Sequence, residues 1–174
     1  YDYTTNTANI YVNGVLDNTE SSGSVQPTAV SDILRIGRNT NDTETWDGRL
    51  DDVRVYGRAL SASEILQLYQ TTGNIASTSI GLVGHWPLDE TSGTTAFDSS
   101  TNGFDGTMAG GLDAGNDNTN GAIDASLNFD GTNDGVNMGS VLNFERTDAF
   151  SISSWVKTDT ANPAGLRGIV GNQD

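Results

Sequence analysis

Side-chain oxygens at alternate positions are the most specific chemical feature of this sequence. Asp98-x-Ser100-x-Asn102 is followed by Gly103. A short loop of that kind can wrap a hard cation such as calcium, which takes ~6–8 oxygens at ~2.3–2.6 Å. It is not an EF-hand, because the twelfth position is Ala109, which cannot supply a bidentate carboxylate. The alternative is an Asx turn in which Asp98 and Asn102 bond only to backbone amides. Two similar runs, residues 116–121 and 130–135, place Leu127 and Val141 where the closing acid belongs, so both read as turns.

Catalytic chemistry finds little support, and no enzyme is expected. Hydrolysis of a sugar bond needs two carboxylates at a set separation. Asp51-Asp52 and Asp89-Glu90 are adjacent pairs, which an unbroken strand points to opposite faces. His85, the single histidine, has no serine, cysteine or acid at a telling spacing, and beside Trp86 it reads as a surface or second-face residue. Cysteine is absent, which removes thiol nucleophiles, thiol metal sites and disulfides. Among the aromatics, Trp86 is in phase with Leu82 and Leu88 and belongs to a core, and Trp46 packs ahead of the Asp47-Gly48 turn. Trp155 is out of phase with Phe150, Ile152 and Val156. That leaves it either as a platform for a ligand or covered by a neighbouring layer or loop.

Charge narrows the partners. With 23 acidic and 8 basic residues the net charge is −15, and Lys157 is the only lysine. A nucleic-acid binder needs a basic stripe, and an anionic membrane would repel this chain. The apolar runs are too short to span a bilayer, so no membrane insertion is expected. No signal peptide is visible, which suggests a mature or internal part of a secreted protein. Short apolar runs separated by Gly, Asn, Asp, Ser and Thr are the pattern of an all-β sandwich.

The elements that position these residues centre on residues 48–61. Val53 and Val55 alternate with Arg54 and Tyr56, the period of a half-buried strand. On the same alternation Asp51 falls in phase with the valines, so its carboxylate is expected to seek a donor, a cation or water. Ser61-Ala62-Ser63-Glu64 is a capping box, and Ile65, Leu66, Leu68 and Tyr69 form the stripe of a helix about two turns long. Gly73 stands where a helix C-cap glycine belongs. Upstream, Ile10 and Val12 alternate, Asn13-Gly14 turns the chain, and Val15-Leu16 returns before a polar loop over residues 17–24. A further strand is expected over residues 33–37, then a polar loop holding the sequon Asn41-Asp42-Thr43.

Several of these blocks resemble the laminin G-like, concanavalin A-like jelly-roll family. They are Asn9-Ile10-Tyr11-Val12-Asn13-Gly14, Leu34-Arg35-Ile36-Gly37-Arg38-Asn39 and Trp46-Asp47-Gly48, which leads into Leu50-Asp51-Asp52-Val53-Arg54-Val55-Tyr56. Gly81-Leu82-Val83-Gly84-His85-Trp86-Pro87-Leu88-Asp89-Glu90 resembles the family's opening strand. Residues 98–107 resemble the loop after that strand, and 127–136 and 150–157 its next strands. The resemblance implies an antiparallel jelly-roll sandwich with one short helix after the closing strand. It also implies a structural calcium ion held by the Asp98, Ser100 and Asn102 loop with an acid from Asp51 or Asp52. Carbohydrate binding is the family's commonest implied role, and this chain is read as a non-enzymatic adhesion or assembly module at the cell surface or outside the cell. It would be a repeat unit of a larger protein, with glycans or head-to-tail copies as partners. A carbohydrate-binding accessory of a polysaccharide-degrading enzyme is the alternative. The blocks run out of the family's order. Residues 1–72 resemble the second half of a module, 73–79 a linker, and 80–174 the first half of the next. A tandem repeat cut out of phase, subunits completing one another in a filament, and a permuted single domain all account for that order.

Overall fold

The computed structural model describes residues 1–21, 33–39, 44–71, 79–141, 148–159 and 168–171. The sequon and Gly73 lie outside them. The protein is an all-β antiparallel jelly-roll sandwich carrying a short helix after the long strand Asp47–Tyr56. Among the described residues, no helix is long and apolar enough to cross a membrane.

The chain opens with a hairpin, β1 (Thr7–Val12) and β2 (Val15–Ser21). Asn13 and Gly14 join them with φ of 51° and 75°, the left-handed pair that matches the twist of a two-residue hairpin. The loop expected from Asp17 is instead the second half of β2, paired as far as Thr7 with Ser21. A ladder needs only backbone groups, and polar side chains suit a ribbon whose residues are exposed.

One sheet runs in the order β12 (Val170–Gly171), β3 (Leu34–Ile36), β10 (Gly135–Gly139), β7 (Gly106–Ala109) and β6 (Thr95–Ala96). The other contains β11 (Ser151–Thr158), β4 (Asp47–Tyr56), β9 (Ala125–Asp130) and β8 (Asn118–Asn120), with β5 (Leu82–Trp86) also paired to β4. Strands from residues 1–72 and 80–174 are therefore combined within both sheets. Leu50, Val53, Val55, Trp86, Leu127 and Phe129 on one sheet face Ile36, Met108, Val136 and Met138 on the other, all buried. Trp86 is wholly buried and donates its indole N–H to the Phe104 carbonyl at 2.8 Å. Gly37 has φ of 82°, and a Cβ there would run into the Phe129 ring, so the sandwich is closed around a backbone position that only glycine fits.

Helix α1 (Ala62–Gln70) begins with the full capping box. The Glu64 amide donates to the Ser61 hydroxyl, and the Glu64 carboxylate accepts from the Ser61 amide at 2.8 Å. Arg58 grips the same carboxylate at 2.6 Å. The ion pair and the Ser61 donors hold Glu64 down at about 2. A second helix, α2 (Ala114–Asp117), is a single turn capped by Asp113.

β4 is the organising strand, ten residues long. β11 covers one edge, while the other edge is shared: residues 47–50 pair with β9 and residues 53–56 with β5. At the junction the pairing with β11 slips, and Asp52 adopts φ of 53°. That bulge breaks the alternation. Leu50 and Val53, three residues apart, both enter the core. Asp51 is therefore not in phase with Val53 and Val55, and it emerges on the face opposite Leu50.

Candidate functional site

The gap between β5 and β9 along β4 opens into a cleft of about 430 Å³, walled in part by Asp51, Asp52, His85, Asp89, Ser99 and Ser100. A strictly alternating strand would send Asp51 and Asp52 to opposite faces. The left-handed Asp52 brings both to the same cleft instead. Leu88 also adopts a left-handed conformation, with φ of 63°, and the Asp52 amide bonds to the adjacent Pro87 carbonyl at 3.1 Å. That conformation costs a bulky residue such as Leu88 about 1–3 kcal/mol, a strain that the surrounding core must hold in place.

Asp51 is 3 % exposed. One carboxylate oxygen, Oδ2, accepts the amides of Ala122 and Ile123 at 2.7 and 2.9 Å, while Oδ1 is buried with no hydrogen-bond partner among the described residues. Burial pushes this carboxyl up to about 6 against the pull of the two amides, and the charges of Asp52 and Asp89 add to the rise. Asp89 is raised as well, again by burial first, although it accepts the Ala125 amide at 2.8 Å. Asp52 is braced differently. Its Oδ1 takes the Arg54 guanidinium at 2.9 Å and His85 Nε2 at 2.6 Å. The other ring nitrogen of His85 meets the Ser99 hydroxyl at 2.7 Å.

This Ser99–His85–Asp52 chain was not visible in the sequence, where Ser99 and Asp52 stand 14 and 33 residues from His85. Two-residue alternation along β5 signalled only that His85 faces away from Trp86. The chain ties β4, β5 and the loop after β6 together through polar groups.

The Asp98 loop is built on backbone donors. Burial alone would raise Asp98, but the amides of His85, Ser100 and Phe104 and the Ser100 hydroxyl together hold it below the usual carboxylate range. Asn102 donates its side-chain amide to the Val83 carbonyl at 2.8 Å, and its backbone amide binds the Ser100 hydroxyl at 3.2 Å. Of the three loop residues, Ser100 reaches the cleft wall beside Asp51 and Asp52, whereas Asp98 and Asn102 turn to β5 and their own loop. Among the described residues, no group of three His, Asp or Glu side chains is arranged to hold a metal ion. Of the two weaker acidic runs, 130–135 makes a local turn, whereas 116–121 is not the expected turn but the end of α2 followed by β8, held there by its pairing with β9. Asp130 accepts the Thr132 and Asn133 amides, and Asp117 accepts the Asp113 amide.

The chemistry of the donor set can nonetheless be judged. A buried carboxylate oxygen without a protein partner is the kind of atom an ion or water satisfies. Asp51 Oδ1 is such an atom, with Asp52 and Asp89 in the same cleft. A calcium ion held there would draw on these carboxylates together with backbone carbonyls and water, which calcium accepts readily.

On the opposite side of Asp51, the outer face of the sheet carries a groove of about 310 Å³ bordered by Arg49, Asn120, Ser126, Trp155 and Lys157. Trp155 lies across from Asp51 in the β11–β4 register, away from the core. It is half-buried against Tyr69 of α1, with ring centroids 5.6 Å apart and planes tilted by 32°. The helix thus shelters one part of the indole and leaves the rest on the groove.

Residues 1–66 match the laminin G-like model of the concanavalin A-like lectin/glucanases superfamily, which supports the family suggested by the sequence motifs. The motifs of residues 81–157 lie outside that match. Comparisons with curated proteins and with solved structures find no match. The superfamily contains lectins and glucanases, and a carbohydrate-binding or adhesion-type module is the general class this match supports.

Proposed function

We propose that the chain is a non-enzymatic adhesion or assembly module of an extracellular or cell-surface protein, with calcium as a structural brace in the Asp51 cleft. The observation that carries this reading is the buried, partnerless Asp51 Oδ1 beside Asp52 and Asp89. These carboxylates come from two separate parts of the fold, so a shared cation would lock β4 to the segment after β5. Asp51 and Asp52 come from residues 1–72, and Asp89 and Ser100 from residues 80–174. The same seam would close whether the two parts belong to one permuted sandwich or to head-to-tail copies in a filament. The pairing of β4 with β5 within one chain supports the permuted arrangement.

Thermal unfolding and light scattering with and without chelator test this. A site of sub-millimolar affinity, filled at ~100 times its dissociation constant, stabilises by about 2.7 kcal/mol. For a chain of this size that is a rise in Tm of roughly 5–10 °C. Asp51→Asn should abolish the rise. A Tm indifferent to calcium would overturn the brace, and a particle size that stays monomeric in both conditions would overturn the filament.

One observation favours a second reading, a carbohydrate-binding accessory module. Trp155, stacked on Tyr69, sets an aromatic face in the outer groove. Calcium-independent glycan binding that Trp155→Ala removes would support it.

A further inference from the structure

The groove on the outer sheet face also carries positive charge. Only 8 of 174 residues are Lys or Arg. Two of them, Lys157 and Arg49, are direct cross-strand neighbours pointing away from the core, since the next pair along, Val156 and Leu50, sets Leu50 in it. Asn128 continues the row on β9. Arg49 donates a terminal N–H to the Asn120 carbonyl at 3.3 Å, and the Lys157 side chain is exposed. The indole of Trp155 stands further along the same face, backed by the Tyr69 ring.

Each part selects a different feature of a ligand. A flat aromatic face suits the apolar face of a pyranose ring. A guanidinium beside an ammonium suits a carboxylate. We propose that this groove binds a uronate-bearing glycan, with a sugar ring on Trp155 and its carboxylate against Lys157 and Arg49. The inference rests on the carbohydrate-binding reading and names the class of sugar. Asp51 on the groove wall opposes it only weakly, because one oxygen is turned to the Ala122 and Ile123 amides and the other is buried. The net charge of −15 disfavours dense polysulfates. A carboxylate presented on each sugar to a local cation pair is the better match.

The probes are galacturonate, glucuronate and mannuronate oligomers, each beside its neutral methyl ester, titrated calorimetrically with chelator present to exclude calcium bridging. At least one acid oligomer should bind, and its ester at least tenfold more weakly. Lys157→Met and Arg49→Gln should each weaken the acid form roughly tenfold without changing binding of the ester. Both side chains lie outside the core, so these variants stay folded even where Trp155→Ala does not. Equal binding of acid and ester, lost on Trp155→Ala, would overturn the uronate assignment and leave the carbohydrate reading standing. Acid binding indifferent to both cation variants would overturn the assignment too. If no oligomer binds and a broad glycan array is also blank, both readings fall.

Discussion

In metal-free protein, Asp51→Asn should raise stability at neutral pH and leave it nearly unchanged at pH 4. A carboxyl whose pKa is higher in the folded chain binds its proton more tightly there. Its contribution is fully present below the unfolded pKa and is lost as pH rises through about 6. At pH 7.5 the native state therefore carries a charge that it holds poorly. The displacement from the ordinary value corresponds to at most about 3 kcal/mol, and water entering the cleft screens this to roughly 1–2 kcal/mol. Asparagine keeps an oxygen for the Ala122 and Ile123 amides and, like the protonated carboxyl, places a donor where Oδ1 had no partner, so it stands in for the neutral form at little cost. The net gain at pH 7.5 is about 1–2 kcal/mol, or ~2–8 °C in Tm. Thermal melts of both proteins from pH 4 to 8 in chelator give the answer. A variant less stable than wild type at pH 7.5, or a difference that does not shrink toward pH 4, would refute the burial account. Saturating calcium should reverse the order of the two proteins, because a bound cation favours the carboxylate.

Other perturbations test other parts of the fold. Glu64→Gln should cost about 1 kcal/mol at pH 7 through the capping box and the Arg58 pair. Because the Glu64 pKa is depressed, that contribution is present above the ordinary carboxyl range and fades as pH falls through about 2, so acid titration of both proteins should converge there. Gly37→Ala and Gly93→Ala both place a Cβ at a left-handed φ, 82° and 81°, but only Gly37 faces the Phe129 ring, while Gly93 has open space. Denaturant melts should show a loss of about 1 kcal/mol at Gly93 and ~3 kcal/mol or more at Gly37. Asp98→Ala removes the acceptor of four donors and should cost ~2–4 kcal/mol by the same assay. Calcium should still raise the Tm of this variant by the wild-type amount, since Asp98 does not reach the cleft.

Local chemistry at fixed spacing was legible in the residues alone. Asn13-Gly14 supplied the two left-handed residues a tight hairpin needs, and Ser61 and Glu64 supplied both halves of a capping box. Trp86 and Trp155 were assigned to inner and outer faces from the apolar residues that set the phase of their own strands. Long-range packing decided the remainder. β4 has one edge shared by β9 and β5, and the slip between those pairings turns Asp52 left-handed and moves Asp51 off the core face. No alternation rule within residues 48–56 contains that information, because it comes from strands distant in the chain. The loop donors that claim Asp98, and the meeting of Ser99, His85 and Asp52, are set by the same packing. A carboxylate's role depends on which donors arrive beside it. At Asp98 four arrived, and at Asp51 one oxygen was left without any.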